Sequence, residues 1–300
     1  MLPNFMIAGG VATGTSFLSA TLAQHPEVYL PRIQRPEPNF FHYSWKFDKG
    51  LDWYLNTWFH EVDGQRAIGE RSSLLLNSDV AAARIRQFVP QMKLIFCLRN
   101  PMERAWANYR FTVLEGLEQL SFEQAIENEQ RRMGQASGIW AEVQPHAYLT
   151  RSRYADQLRQ FEELFGRDNI LLIKSEDLGR NPHEHVKRVC EFLNVDSSIQ
   201  LPLPPNYSSP SVTDRFLQMQ LRSYFGNRFP EIVECIRREE DVAAFVNNEE
   251  DLINVLRLKD NLRVGKDPLP EHLRLRMREI FSSEIASVKK LVDFEINDWV

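Results

Sequence analysis

The stretch Asn4–Phe5–Met6–Ile7–Ala8–Gly9–Gly10–Val11–Ala12–Thr13–Gly14–Thr15–Ser16 decides how the rest of the chain is interpreted. Its apolar run, residues 5–8, is typical of a buried strand, and an apolar-periodic segment resumes after the glycines. A strand, a glycine-containing loop and a helix start form a phosphate cradle, because backbone N–H groups and the positive end of the helix dipole converge there. Thr15 and Ser16 add hydroxyl donors. An ordinary tight turn is the alternative for the same pattern.

The spacing from Gly9 to Gly14–Thr15–Ser16 is close to that of the P-loop of nucleotide triphosphatases. That motif requires lysine at the position occupied here by Thr15. The substitution argues against a kinase or an ATPase, so a second motif is needed to define the ligand.

The composition is that of a soluble globular protein, with 43% hydrophobic and 26% charged residues in 300. A net charge of −5 gives no reason to expect a nucleic acid as partner. The three cysteines (Cys97, Cys190 and Cys235) show no CxxC spacing, which predicts thiols in a reducing compartment. Neither a leader pattern nor an apolar run long enough to span a membrane stands out. These features predict a cytoplasmic protein without membrane contact.

Alternating strand and helix patterns predict an α/β fold, a single domain over residues 1–300 with a central, mostly parallel sheet flanked by helices. The predicted strands are 5–8, 67–72, 93–98 and 170–174. The predicted helices are 15–24, 102–115, 148–165 and 182–193. Two more helices are predicted, one that is capped by Asp79 and runs to residue 88 and one that is capped by Ser121 and runs to residue 133. Three prolines make 31–41 an extended loop. Residues 200–214 are predicted to be a loop or lid, 200–266 an elaboration of the domain, and an amphipathic helix from Pro270 is predicted to close the chain at Trp299.

A second anion site is predicted at Arg99, which directly follows the strongest strand pattern, residues 93–98. A guanidinium group at the carboxyl end of a parallel strand faces the ligand crevice, and its fork suits phosphate. Anion sites on neighbouring strands imply a ligand with phosphates at both ends of a nucleoside.

These motifs resemble those of the PAPS-dependent sulfotransferases, which use 3′-phosphoadenosine 5′-phosphosulfate (PAPS) and release 3′-phosphoadenosine 5′-phosphate (PAP). The loop ending in Gly14–Thr15–Ser16 is similar to that family's 5′-phosphosulfate loop, and residues 99–105 (Arg–Asn–Pro–Met–Glu–Arg–Ala) resemble its Arg-(Asp/Asn)-Pro-x-x-Arg-Ala stretch for the 3′-phosphate. Glu37 before Asn39–Phe40–Phe41 is similar to the Lys–Glu–x–His–Phe–Phe-like segment of one branch. Residues 69–72 (Gly–Glu–Arg–Ser) resemble that branch's Gly–Glu–Lys–(Ser/Thr)–Pro. The resemblance implies the P-loop-like sulfotransferase fold.

The resemblance also implies roles for individual residues. Glu37 is the predicted general base, with His42 as the runner-up, and Arg71 is the predicted cation at the transferring group, with a structural salt bridge as the alternative. Glu70 is predicted to orient Arg71 or a backbone group. The predicted nucleotide-binding residues are Gly10, Ala12, Thr13, Gly14, Thr15 and Ser16 for the 5′-phosphate, Arg99 with Ala107 and Asn108 at the 3′-phosphate, and Tyr154 lining the site.

Two positions depart from the family pattern, which has Lys or Arg at Ala12 and Ser at Ala107. A missing cation at the transferring group removes electrostatic stabilisation of the transition state. Either another cation (Arg71, or Arg32 or Arg35) replaces it, or the donor or its affinity differs, or the protein binds nucleotide without transferring a group.

The predicted function is transfer of a sulfuryl group by in-line displacement to a hydroxyl or amine of a small-molecule acceptor, in a setting such as secondary metabolism. The alternatives are a non-catalytic or altered nucleotide-binding relative and, less favoured, a P-loop kinase. No metal-ligand constellation occurs in the sequence, and none is needed for this chemistry.

Overall fold

The computed structural model describes residues 1–32, 36–205, 210–263, 265 and 267–299. Its strands are β1 (Phe5–Gly9), β2 (Val28–Tyr29), β3 (Ala67–Arg71), β4 (Lys93–Leu98), β5 (Ile170–Lys174), β6 (Ser211–Val212) and β7 (Leu262–Arg263). Its helices are α1 (Thr15–Leu22), α2 (Ser44–Phe47), α3 (Leu51–Trp58), α4 (Ala81–Phe88), α5 (Pro101–Leu114), α6 (Phe122–Glu127), α7 (Glu129–Gln135), α8 (Ile139–Val143), α9 (Tyr154–Phe165), α10 (Ser175–Arg180), α11 (Pro182–Leu193), α12 (Arg215–Phe225), α13 (Phe229–Arg237), α14 (Glu249–Asn261) and α15 (Glu271–Val288).

The chain forms two compact units. The first comprises Met1–Arg104, Arg151–Pro204 and Arg278–Val300, and the second comprises Ala105–Thr150 and Pro205–Met277. The predicted elaboration from residue 200 falls largely in the second unit, together with 105–150, and residues 206–209 of the predicted lid lie outside the described residues. That the whole chain is one domain stays a prediction.

The first unit contains a five-stranded parallel sheet in the order β2-β3-β1-β4-β5. β1 occupies the centre, and all five of its residues are buried. Strands that are covered on both faces are apolar throughout, as parallel sheets require. The apolar core between sheet and helices includes Leu18 and Leu22 of α1 and Val186 and Val189 of α11. The predicted α/β fold with a parallel sheet is confirmed.

The second unit has a separate apolar core, formed by α12, α13 and α14 together with Leu114 at the end of α5. Its two short strands, β6 and β7, pair antiparallel through Ser211 with Arg263 and Val212 with Leu262. No helix within the described part of the chain is long and apolar enough to cross a membrane.

Several predicted element boundaries were wrong. The first helix ends at Leu22 rather than residue 24, because the N–H groups of Gln24 and His25 bond three residues back and tighten the last turn. The cap of α4 is not Asp79: the Ser78 hydroxyl accepts the Ala81 N–H instead. The last long helix ends at Val288, and Trp299 lies in a short 3₁₀ turn.

Two further predicted helices, 121–133 and 148–165, also differ from the structure. Ser121 caps α6 as predicted, in a full capping box, but the side chain of Asn128 bonds the carbonyl of residue 124 and the helix restarts as α7. The helix predicted from 148 begins at residue 154. Glu129 accepts the N–H groups of Leu149 and Thr150 and the Thr150 hydroxyl, and residues Thr150–Ser152 form a 3₁₀ turn before the α-helix.

Candidate active site

The loop between β1 and α1 has a shape that requires glycine at two points. Gly14 caps α1 with φ 91°, a left-handed conformation that disfavours residues with a Cβ. Gly9 ends β1 with φ 146°, and a Cβ there would lie 2.4 Å from the Cys97 carbonyl oxygen of β4. The glycines therefore let the loop turn tightly against β4 and aim the start of α1 at the carboxyl edge of the sheet.

The hydroxyl groups of this loop have different roles. Thr13 is buried and donates its hydroxyl to the Gly10 carbonyl at 2.7 Å, so it closes the loop on itself. Ser16, in the first turn of α1, is exposed. Ala12 is also exposed and has φ 67°, an uncommon left-handed conformation for alanine. The side chain that replaces the expected cation is therefore a methyl group at the exposed tip of the loop.

Two arginines, at the ends of the strands on either side of β1, contact the loop and the first turn of α1. Arg71, the last residue of β3, donates Nη1–H to Ser16 Oγ at 2.9 Å. Arg99, directly after β4, donates Nη1–H to the Ala12 carbonyl at 3.1 Å. A third guanidinium group, that of Arg104, is fully buried beneath the loop: a Cβ on Gly10 would lie 2.8 Å from its Nε. Positive charge thus surrounds the loop on which an anion would rest.

The carboxylate of Glu37 is joined to the same cluster. Its Oε1 accepts from Arg71 Nη1 at 2.5 Å, so Arg71 contacts both Ser16 and Glu37. Its Oε2 accepts from the Ser73 N–H at 2.7 Å, the Ser73 hydroxyl at 2.8 Å and Asn39 Nδ2 at 3.3 Å. These donors fix the orientation of the carboxylate, and 14% of the side chain is exposed. A fixed, partly exposed carboxylate beside a cation is suited to accept a proton from a bound molecule.

A second carboxyl group, Glu70, lies fully buried on the other face of β3. It accepts hydroxyl hydrogens from Tyr54 at 2.5 Å and from Ser72 at 2.6 Å. Burial raises its pKa to about 7, although the hydrogen bonds from Ser72 and Tyr54 act in the opposite direction. The direct partners of Glu70 are the hydroxyl groups of Tyr54 and Ser72, and its predicted role of orienting Arg71 or a backbone group stays a prediction.

Lys46 is buried on α2 and holds the main chain next to Glu37. Its Nζ donates to the carbonyls of Glu37 at 3.0 Å and Pro38 at 2.6 Å. Burial lowers the pKa of Lys46 to about 8, with the charges of Glu70 and Glu37 opposing the shift. The carboxylate of Glu37 and the backbone beside it are therefore each held by hydrogen bonds.

The other predicted residues are more dispersed. The His42 ring lies edge-on to Tyr43, with the ring centroids 4.8 Å apart. Tyr154 is fully buried and donates its hydroxyl to the Arg99 carbonyl at 3.1 Å, so it supports the arginine through the backbone. Arg32 pairs with Glu61, and Arg35 lies outside the described residues.

The predicted 3′-phosphate residues divide between the units. In the first, Glu176 accepts the Asn100 N–H at 2.9 Å, which anchors the turn carrying Arg99. Ala107 and Asn108 belong to the second unit. There Asn108 is buried and its Nδ2 donates to the Pro145 carbonyl at 3.4 Å, while Ala107 is half-buried. Their nucleotide contacts stay predictions.

Sequence reasoning missed four residues of the cluster: Asn39, Lys46, Ser73 and Arg104. Ser73 had a usable signal, because side chains two apart on a strand share a face and Arg71 was already a candidate. Asn39 bonds the Glu37 carboxylate and Lys46 holds the backbone beside it, and no motif indicates either role. Arg104 was only a member of the quoted 99–105 motif, and it lies under the loop and bonds Ser152.

The fold and this cluster define an α/β protein with a glycine-containing loop, flanking arginines and a carboxylate at the carboxyl edge of its parallel sheet. The family model described as "Sulfotransferase domain" matches residues 2–223, and the chain belongs to that family. No group of three His, Cys, Asp or Glu side chains that could hold a metal occurs in the part of the chain that the structure describes.

Individual proteins similar to this chain include a Membrane-associated sulfotransferase kil1 of Dictyostelium discoideum, 28% identical over 37% of this chain and 23% of the relative. The human Heparan sulfate glucosamine 3-O-sulfotransferase 3B1 is 30% identical over 65% of this chain and 46% of its own length. The chain thus spans less than half of these relatives. A crystal structure of a sulfotransferase from Alicyclobacillus acidocaldarius matches 100% of this chain and 99% of its own with a TM-score of 0.70. At 23% identity this likeness shows the fold.

Proposed function

We propose that the protein is a PAPS-dependent sulfotransferase that acts on a hydroxyl or amine of a small molecule, with Glu37 as general base. The observation that carries the proposal is the position of Arg71, whose guanidinium group contacts both Ser16 on the loop and the carboxylate of Glu37. The first turn of α1 and the residues predicted as cation and base are thereby neighbours in one unit, which supports the proposal.

The residues fit a bisphosphorylated nucleotide. The start of α1 follows a glycine cap and carries the exposed Ser16, so its first N–H groups and one hydroxyl suit a phosphate oxygen. Arg71 and Arg99 contact the loop from β3 and β4, and each has a fork that can bind phosphate in a bidentate manner. Ala12 leaves the tip of the loop without charge, and Arg71 is the cation proposed to take its place.

Bound PAPS would supply the sulfuryl group. Glu37 would accept the proton that the acceptor oxygen or nitrogen loses, since its carboxylate is fixed and partly exposed. Arg71 would stabilise negative charge next to Ser16, as positioned cations do in transfers of this kind. Ser73 and Asn39 would hold Glu37 in place during the proton transfer.

The acceptor is proposed to be neutral or cationic, because the net charge of −5 does not favour a polyanion. The human relative named above acts, by its name, on heparan sulfate glucosamine, which makes a sugar hydroxyl the first acceptor class to test. A cytoplasmic location is part of the same proposal, and the three cysteines are free thiols.

One specific observation favours a second candidate, a relative that binds PAP without transferring a group. Ala12 lacks the cation, and Arg71 already pairs with Glu37. A kinase has less support, because Thr15 stands where a P-loop needs lysine.

The first experiment is calorimetric titration with PAP, with ATP–Mg as control. We expect micromolar binding of PAP alone. Transfer from PAPS to a panel of alcohols, amines and an uncharged amino sugar follows, with wild type, Glu37→Gln and Arg71→Met. Each substitution is expected to lower turnover by about 100-fold or more.

The matched control is Glu162→Gln, which removes a half-exposed glutamate of α9 remote from the cluster. It should leave turnover unchanged. PAP binding without transfer to any acceptor would support the binding-only relative, and a gain of activity in Ala12→Lys would then identify the missing charge as the cause. Tight ATP–Mg binding without PAP binding would overturn both readings.

A further inference from the structure

The face of β3 opposite Arg71 carries a hydrogen-bond chain that ends at the backbone next to Glu37. Side chains along a strand alternate between its faces. Arg71 and Ser73 contact the Glu37 carboxylate, whereas Glu70 and Ser72 lie on the other face and contact each other. Residues 70–73 therefore contact the loop around Glu37 in two ways: Arg71 and Ser73 bond the Glu37 carboxylate, and Ser72 bonds the backbone of Asn39.

The direction of each hydrogen bond in this chain is determined by Glu70. An ionised carboxylate only accepts, and a protonated carboxyl keeps one oxygen that accepts, so in both states the Ser72 hydroxyl can donate to Glu70, at 2.6 Å. The Ser72 oxygen is then left as an acceptor, and it accepts the Asn39 N–H at 2.8 Å. The Tyr54 hydroxyl on α3 donates to the second oxygen of Glu70 at 2.5 Å. Glu70, Ser72 and Asn39 thus form a relay, Asn39 N–H to Ser72 to Glu70.

Asn39 has a left-handed backbone conformation that its hydrogen bonds help to hold. Its φ of 41° is left-handed, which is uncommon outside glycine. The same residue directs Nδ2 at the Glu37 carboxylate and accepts the Leu74 N–H at 3.4 Å. The conformation of Asn39 therefore decides where Glu37, two residues earlier, presents its carboxylate.

We propose that Glu70 is a positioning residue for the reaction, which acts through Ser72 to hold Asn39 in the conformation that aims Glu37 at the acceptor. This inference rests on the proposed function, in which Glu37 is the base. The charged and titratable groups that face Glu70 are Tyr54, Lys46 and Glu37. None of them replaces it as acceptor for Ser72, because that hydroxyl bonds Glu70 directly.

The test compares Ser72→Ala, Glu70→Leu and Glu70→Gln. The first two break the relay, and we expect kcat to fall about 10- to 100-fold with the KM for PAPS within about twofold. The reason is that the Glu37 carboxylate moves, whereas the glycine-containing loop between β1 and α1 does not. Gln keeps an oxygen that can accept from Ser72 and an N–H₂ that can donate to the Tyr54 oxygen. Glu70→Gln should therefore retain kcat within about threefold.

A second readout needs no substrate. Amide hydrogen exchange of the ligand-free protein should speed up about tenfold in the peptide spanning 37–41 in Ser72→Ala and Glu70→Leu, and should keep wild-type protection elsewhere. A general loss of folding stability would instead speed up the exchange of slowly exchanging amides throughout the unit. Ser72→Ala remains informative if Glu70→Leu fails to fold, since it removes a single hydroxyl. Glu162→Gln, the part-exposed glutamate of α9 in the same unit, is the control and should alter neither readout.

The outcomes separate the two proposals. If wild type neither binds PAP nor transfers a group, the proposed function fails, and the exchange experiment alone decides whether Glu70 holds Asn39. If wild type is active and Ser72→Ala keeps wild-type kcat, the inference is overturned even where exchange changes. An equal loss in Glu70→Gln and Glu70→Leu would also overturn it, because the acceptor oxygen would then not be what matters.

Discussion

Each unit buries a glutamate against a tyrosine hydroxyl, but the remaining partners of the two glutamates differ. In the first unit Glu70 accepts from Tyr54 and from the Ser72 hydroxyl. In the second unit Glu118 accepts from Tyr148 at 2.7 Å and from the guanidinium group of Arg132 at 2.6 Å. One carboxyl is held by neutral donors and the other by a cation.

The difference sets the pKa of each carboxyl. Burial acts to raise both values. For Glu118 the bonds from Arg132, Tyr148 and the Leu120 N–H outweigh burial, and the pKa is lowered. For Glu70 hydroxyl donors offset only part of the burial, and the pKa rises to about 7. A structural carboxylate is thus fixed in one charge state, whereas the carboxyl behind the candidate base titrates near neutral pH.

The largest effect is expected from removing the cation of the second pair. Arg132→Met leaves Glu118 buried without its counter-charge, which should cost about 3 kcal/mol of unfolding free energy at pH 7, measured in urea. The neighbouring Arg131 is exposed and bonds Asn128 and Gln135, so Arg131→Met should cost less than about 0.5 kcal/mol. Equal losses for the two variants would show that Arg132 does not carry the stability of Glu118.

The next effect concerns the sign of the pH dependence. The folded-state pKa of Glu70 is raised from 4.5 to about 7. The contribution of Glu70 to the free energy of unfolding is therefore fully present at low pH and is lost as pH rises through 7. That shift corresponds to about 3 kcal/mol when complete. Glu70→Gln should therefore match wild type in stability near pH 4.5 to 5 and exceed it progressively up to pH 8.

Glu118→Gln provides the opposite control. The pKa of Glu118 is lowered, so its contribution is present at neutral pH and is lost as pH falls through the folded-state pKa. The variant should be less stable than wild type at pH 7, with the gap closing in acid. Two stability curves that change with pH in the same direction would contradict the comparison.

The sequence was sufficient for the parts of the site that depend on local order along the chain. The strand, glycine loop and helix from Phe5 to Leu22 follow from apolar patterning and from the conformational needs of glycine. Arg99 after β4 follows from the rule that ligands bind at the carboxyl ends of parallel strands, whereas Arg71 at the end of β3 was predicted from the resemblance of residues 69–72 to the family's motif.

The sequence was not sufficient where a residue acts through a partner distant along the chain. Glu70 and Tyr54 are 16 residues apart, and Ser72 and Asn39 are 33 apart, so no periodicity relates them. Helix caps failed for a similar reason at Asp79, since Ser78 offered a competing hydroxyl one residue away. Competition between nearby polar groups is decided by backbone geometry, which the pattern of residue types does not contain.

The smallest expected effect comes from removing the tyrosine hydroxyls themselves. Tyr148→Phe takes one donor from a carboxylate that keeps Arg132, and should cost about 1 kcal/mol equally at pH 6 and pH 8. Tyr54→Phe takes one of the two hydroxyl donors of Glu70, and because that bond favours the ionised form, the pKa of Glu70 should rise further. Its cost should therefore be larger at pH 8 than at pH 6, where Glu70 already holds its proton. Urea unfolding at the two pH values measures this, and a cost for Tyr54→Phe that does not change with pH would mean that Glu70 does not titrate in this range.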